Sequence, residues 1–237
     1  MAHEPAASAV MTPSSLVRKL ATIGDVLARH PSQARHSIRW LRSMLPGHTP
    51  LDDGLPWITF GAIRWLERYL EPGMSVFEYG AGGSTLFFAE RVRELVSVEH
   101  DEHFHRIVRD RLDRDARCNV DLRLRKPEPM GDDEADDRRY RSFQGKYRDV
   151  SFRRYVRTIA EDPGRLFDVV MVDGRARMVC VNEAIDKIRE GGVLILDNSE
   201  RPGYAEAGIM LGSRPRLVFR GVTPWTTDVS QTTIWRF

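Results

Sequence analysis

Ser75-Val76-Phe77-Glu78-Tyr79-Gly80-Ala81-Gly82-Gly83-Ser84-Thr85 reads as an apolar strand, a glycine turn and the start of a helix. Glycines at 80, 82 and 83 let the main chain come close to a bound ligand, because no Cβ stands in the way. That much suits any nucleotide. A dinucleotide site, however, wants Gly-x-Gly-x-x-Gly with a pyrophosphate at the helix start, and the sixth position here is Thr85. Glu78, close before the first glycine, would repel a pyrophosphate and attract a cationic amino group. A carboxylate on the same ligand would take the helix N-terminus and the hydroxyls of Ser84 or Thr85. Glu99, 17 residues beyond Gly82 and closing the next apolar run, is placed to accept hydrogen bonds from ribose hydroxyls.

Outward from this turn, short apolar runs alternate with helical patterns. The strands are Ser75 to Tyr79, Leu95 to Glu99, Val120 to Leu124, Phe167 to Val172 and Val193 to Leu196. The helices are Thr85 to Arg93, Asp101 to Arg114, Phe152 to Ala160 and Arg177 to Arg189. This alternation predicts an α/β fold, a mostly parallel sheet with helices on both faces. Glu190-Gly191-Gly192 supplies a break before the fifth strand. After a short helix around Tyr204 to Leu211, Leu217 to Val222 and Thr232 to Phe237 form a hairpin-like pair, which predicts an antiparallel edge.

Residues 1–55 read as a helical arm and 56–237 as the main domain. Behind Ser14 as a cap, Leu16, Leu20, Ile23 and Leu27 recur at helical spacing. A second helix covers Gln33 to Leu45 with Ile38, Leu41 and Leu45 on one face, until Pro46-Gly47-His48-Thr49-Pro50 breaks it. Pro56 suits the first turn of a helix carrying Phe60, Ile63, Leu66 and Leu70 inward. Lys126 to Arg148 is irregular, either a lid or an insertion, and Tyr140, Phe143, Tyr147 and Tyr155 offer it aromatic side chains.

Val76 to Thr85, then Val96-Ser97-Val98-Glu99-His100-Asp101, Phe167 to Gly174, and Gly191 to Asn198 together resemble a class I S-adenosylmethionine-dependent methyltransferase over about Leu55 to Phe237. The resemblance implies a Rossmann-like seven-stranded sheet whose last strand is inserted antiparallel, with the cofactor over the carboxyl ends of the first strands. It departs from the acidic-x-Gly-x-Gly-x-Gly pattern in having Ser84 in place of the third glycine. The cofactor-binding residues expected on this basis are Glu78, Gly80, Ala81, Gly82, Ser84, Thr85, Glu99, His100 and Asp173.

Asp173 and the pair Asp197-Asn198 end strands on the sheet edge that carries the glycine turn, where open α/β sheets bind ligands. Three oxygen-bearing side chains suit Mg²⁺ or another divalent cation, and the set resembles the catechol and caffeoyl-CoA type O-methyltransferases. Those families carry a lysine shortly after the first Asp. Here Gly174-Arg175-Ala176-Arg177 follows, so that base is missing. The Asp-Gly-Arg also resembles bacterial small-molecule and sugar O-methyltransferases, in which case Arg175 holds an anionic acceptor or caps the sheet. Asp173, Asp197 and Asn198 are thus the expected catalytic residues and the expected metal ligands. The other reading puts Asp173 beside the sulfonium or on a helix cap and makes Asp197-Asn198 a turn. His100, His103 and His105 read as solvent-facing. His48 lies in the turn of the arm, and Trp57 near the cofactor entrance.

Lys and Arg number 36 against 34 Asp and Glu, so charge gives no reason to expect nucleic acid or an anionic membrane as partner. Two cysteines, Cys118 and Cys180, argue against a disulfide framework and for a cytoplasmic protein. The expected function is methyl transfer to a small-molecule acceptor, foremost a hydroxyl oxygen, with the arm available for a homodimer. The alternatives are an N-methyltransferase, a non-catalytic cofactor-binding partner protein and an NAD(P)-dependent oxidoreductase, the last disfavoured by Glu78 and Thr85.

Overall fold

The computed structural model describes residues 13–130, 138–142, 147 and 149–237, with the side chains of 13–20 and 138 left aside. Seven strands form one sheet: β1 (Ser75–Tyr79), β2 (Glu94–Glu99), β3 (Val120–Leu124), β4 (Phe167–Val172), β5 (Ile188–Asp197), β6 (Arg216–Val222) and β7 (Val229–Arg236). Their order is β3-β2-β1-β4-β5-β7-β6. The first five pair in parallel, and β7 runs antiparallel to both β5 and β6. This is the topology the resemblance implies. Glu128–Pro129 and Val150–Ser151 make a separate two-strand pair at the start and end of the irregular segment.

The helices are α1 (Pro13–Arg29), α2 (Ser37–Ser43), α3 (Pro50–Asp53), α4 (Phe60–Tyr69), α5 (Gly83–Ala89), α6 (Glu102–Arg114), α7 (Arg153–Arg157), α8 (Arg177–Ala184) and α9 (Glu206–Met210). Alternation along the strands serves both faces. Phe77, Tyr79, Val170, Val172, Leu194 and Leu196 pack with Tyr155, Cys180, Val181 and Leu211 on one side. Val76, Val169, Met171, Val193 and Ile195 pack on the other with Phe60, Ile63, Leu66, Phe87 and, from the arm, Ile23, Val26 and Trp40.

Several local expectations are corrected. The second arm helix begins as a 3₁₀ turn (Pro31–His36), and Ile38, Leu41 and Leu45 face outward, with Ile38 84% exposed. Its buried face carries Gln33, His36, Trp40 and Ser43 instead, because Gln33, Trp40 and Ser43 find partners on β6 and the β6–β7 connection. Gln33 Oε1 accepts from the Val222 amide at 3.3 Å, Ser43 Oγ accepts from the Trp225 amide at 3.2 Å, and Trp40 Nε1 donates to the Thr226 carbonyl at 2.7 Å. α4 starts at Phe60 and not at Pro56, with Thr59 as its cap, Oγ1 accepting from the Ala62 amide. Gly191 and Gly192 lie inside β5, where the register against β4 shifts between Phe167 and Val169. No helix among the described residues is long and apolar enough to cross a membrane.

Candidate active site

The glycine turn joins β1 to α5 and brings two strand ends together. Gly80 has a φ of 98°, a region open to glycine, and a Cβ there would lie 2.9 Å from the Gly174 Cα. The Asp173 amide donates to the Tyr79 carbonyl at 3.1 Å, so the ends of β1 and β4 meet main chain to main chain. Thr85, one turn into α5, accepts from the Gly82 amide at 2.9 Å and donates to Glu78 Oε2 at 2.6 Å. Ser97, the register partner of Glu78 on β2, donates to the same oxygen at 2.6 Å.

Glu78 is fully buried, and its other oxygen, Oε1, has no partner. Burial pushes its pKa up to about 7, against the hydroxyls of Ser84, Ser97 and Thr85, with the charge of Asp173 adding to the rise. A buried carboxyl with an orphaned oxygen fits a cationic group bound at the turn.

Glu99 closes β2 and is 3% exposed. Its Oε1 accepts the amides of His100 and Asp101, both at 2.8 Å, which pins the turn into α6. His100 is no solvent-facing histidine. Its Nε2 lies 2.9 Å from the Tyr147 hydroxyl and its ring packs edge-on against Tyr147 and Tyr155 and tilted against Phe152. Nδ1 sits 2.6 Å from Glu99 Oε1 at too poor an angle for a hydrogen bond. His103 is exposed, as expected. Tyr155 and Tyr140 belong to the core and not to a lid; Phe143 lies outside the described residues.

At the ends of β4 and β5 the structure brings Asp173, Asp197 and Asn198 together, but around a guanidinium. Arg177, the first residue of α8, donates through Nη2 to Asp173 Oδ1 at 2.7 Å, and its Nη1 lies 3.9 Å from Asp197 Oδ2 and 3.4 Å from Asn198 Oδ1. Asp197 Oδ1 accepts the Thr232 hydroxyl at 2.8 Å, and Asn198 Nδ2 donates to Ser230 Oγ at 3.0 Å. The metal-ligand reading of Asp173, Asp197 and Asn198 does not fit this arrangement: the Oδ1 atom of each accepts from a donor of the protein, and a guanidinium stands between them. Among the described residues no group of three His, Cys, Asp or Glu side chains is arranged for a metal ion.

Burial and the charge of Asp173 push Asp197 up to about 8, against Arg177. Burial also raises Asp173, against Arg177, Arg201 and Arg175. Asp173 keeps 21% of its side chain exposed whereas Asp197 keeps 3%, so of the two only Asp173 is open to a bound molecule.

Sequence reasoning did not single out Ser97 or Arg177. Ser97 was findable from the parallel register that sets it beside Glu78. A third group comes from the arm: His48 Nδ1 lies 2.6 Å from Asp53 Oδ1, whose Oδ2 accepts from Trp225 Nε1 at 3.0 Å, and Trp57 packs edge-on against Trp225. The 50–55 segment rests on the start of α5, where a Cβ on Gly83 would lie 2.1 Å from the Pro50 carbonyl oxygen.

No family model and no curated protein matches the chain. Among solved structures it is similar to a Klebsiella pneumoniae protein assigned as an O-methyltransferase, at 17% identity and a TM-score of 0.52, with 94% of each chain covered. It is also similar to an rRNA methylase from Streptococcus thermophilus, at 13% identity and a TM-score of 0.51, over 73% of this chain and 92% of that one. These likenesses, with the strand order, establish the Rossmann-like class I methyltransferase fold. The first extends into the arm.

Proposed function

We propose that this chain, built on the class I methyltransferase fold, is an S-adenosylmethionine-dependent methyltransferase acting on a small-molecule acceptor, foremost at a hydroxyl oxygen. The observation that carries the cofactor is Glu78: fully buried, one oxygen unpartnered, and beside a glycine turn. A pyrophosphate ligand would meet that carboxyl with repulsion, and the ammonium of the cofactor's methionyl group would meet it with attraction. Gly80, Ala81 and Gly82 let the main chain approach, Ser84 with the start of α5 meets the cofactor carboxylate, Thr85 holds Glu78 to the turn through its hydroxyl, and Glu99 and His100 take the ribose and adenine side.

Bound there, the cofactor supplies a methyl group already activated by its sulfonium. The protein then has to align an acceptor and exclude water, which is worth about 7 to 11 kcal/mol for ideal positioning. Asp173, partly open just beyond β4, orients the acceptor oxygen and stands next to the cofactor. Asp197 and Asn198 act as positioning residues, through Arg177.

Calorimetry with S-adenosylhomocysteine tests the cofactor: binding is expected, and binding of NAD in its place would return the chain to the oxidoreductases. Transfer of a labelled methyl group into a small-molecule extract tests the acceptor. Label recovered in RNA alone, or on nitrogen, would overturn the hydroxyl reading, and binding without any transfer would make the chain a non-catalytic partner protein.

A further inference from the structure

Arg177 occupies the centre of the acceptor side with all five of its N–H donors committed. Nε donates to the Gly174 carbonyl at 3.1 Å. Nη1 donates to the Asp197 carbonyl at 2.5 Å and to Asn198 Oδ1 at 3.4 Å. Nη2 donates to the Asp173 carbonyl at 2.9 Å and to Asp173 Oδ1 at 2.7 Å. The residue is 9% exposed, and Tyr204 lies against its guanidinium at 5.6 Å. Two neighbours are held in the left-handed backbone region without being glycine: Ala176 at φ 47°, which turns the chain into α8, and Asn198 at φ 53°. Such conformations persist where the surroundings enforce them, and here both serve to close strand ends β4 and β5 around one cation.

We propose that the Arg177 guanidinium is the resident cation of this site: it stands where two carboxylates and an amide would otherwise coordinate a divalent ion, and it holds Asp173 in place without metal. A divalent ion needs those oxygens at about 2.0 to 2.6 Å, and a guanidinium, permanently charged, bonded to Asp173 Oδ1 and Asn198 Oδ1 and 3.9 Å from Asp197 Oδ2, both blocks that approach and repels the ion. Arg177 has no donor left for an acceptor, so it is a positioning residue that works through Asp173. Where the site is read as a methyltransferase site, transfer is then independent of divalent metal; the assignment of the cation itself does not need that reading.

Mn²⁺ is the probe, followed by the loss of its free-ion electron paramagnetic resonance signal on titration into the full chain. The wild type is expected to leave Mn²⁺ free up to about 1 mM. Arg177→Met, similar in length and uncharged, is expected to gain a site at least about tenfold tighter, lost again when Asp173→Asn is added. Wild-type binding that Asp173→Asn abolishes would overturn the proposal, as would a folded Arg177→Met protein that gains no site. Should Arg177→Met not fold, the wild-type titration still decides. Arg177→Lys, which keeps a charge, is expected to leave Mn²⁺ free, and Mn²⁺ binding by that variant overturns the proposal. S-adenosylhomocysteine calorimetry on the same samples separates the two readings, because its failure removes the cofactor and leaves the Mn²⁺ result standing.

Discussion

Glu78 is held at a cost that a bound ligand would offset. A carboxyl buried on β1 with a pKa of about 7 is protonated over much of the pH range in which an ordinary glutamate is ionised. Its folded pKa lies above its unfolded one, so its favourable contribution is present below about pH 4.5 and is lost as pH rises through 7. Glu78→Gln keeps the shape and removes that loss. The ligand-free variant is therefore expected to be more stable than wild type at pH 8, by up to about 3 kcal/mol in urea unfolding. Ligand binding runs the other way. An ammonium beside Glu78 favours the ionised form, so S-adenosylhomocysteine affinity is expected to fall about tenfold per pH unit below pH 7 and to level off above pH 8. Glu78→Gln should bind more weakly at pH 8 and lose this dependence. A wild-type affinity that stays flat between pH 6 and 8 would separate Glu78 from the ligand.

The glycine turn does two jobs that adjacent residues divide between them. Gly82 has an extended backbone that any residue adopts, and a Cβ there meets nothing nearer than 3.9 Å. Gly83 faces carbonyl oxygens of Pro50 and Leu55 at 2.1 and 2.3 Å from where its Cβ would sit. Gly82→Ala is thus expected to melt within about 0.5 kcal/mol of wild type while losing at least about tenfold in S-adenosylhomocysteine affinity. Gly83→Ala is expected to cost about 1 to 3 kcal/mol of stability. A Gly82→Ala protein that binds normally would move the ligand away from the turn.

This division shows what could be read from sequence. β1, β2, β4 and β5 were legible because each carries a short apolar run closed by glycine or an acidic residue, and Glu78, Asp173 and Asp197 were legible as strand ends. Gly83's neighbours were not, since they lie some thirty residues back in the chain. Neither was Arg177's place, which depends on the left-handed turn at Ala176 and on carbonyls from two strands. Periodicity also chose the wrong face of α2, because it follows aliphatic side chains, whereas the buried face carries Trp40 among polar groups hydrogen-bonded to β6 and the β6–β7 connection.

At the scale of the molecule, the arm is part of the core it precedes. Trp40 is fully buried among α4 and sheet residues, and its indole N–H holds the Thr226 carbonyl between β6 and β7. Trp40→Ala leaves a cavity and an unpaired carbonyl, and is expected to cost about 3 to 5 kcal/mol. If the arm were an appendage, urea unfolding would show Trp40→Ala loosening an early transition and leaving the sheet untouched; a single shifted transition is expected.

His36 gives the same contact a pH response. Burial first, then the charges of Arg35, Arg64 and Arg39, lower its pKa to about 4, and its ring stacks on Phe60 at 5.8 Å. The unfolded chain binds a proton near pH 6.5 that the folded chain refuses until about 4. Stability therefore falls as pH drops through that window, by at most about 1.4 kcal/mol per pH unit from this group. His36→Gln shares the opposing contributions of Glu78 and Asp197 with wild type, so from pH 7.5 to 4.5 its melting temperature should follow a slope displaced from that of wild type, with less stability lost as pH falls. A slope unchanged in that variant would mean that the arm stays docked whatever the charge on residue 36.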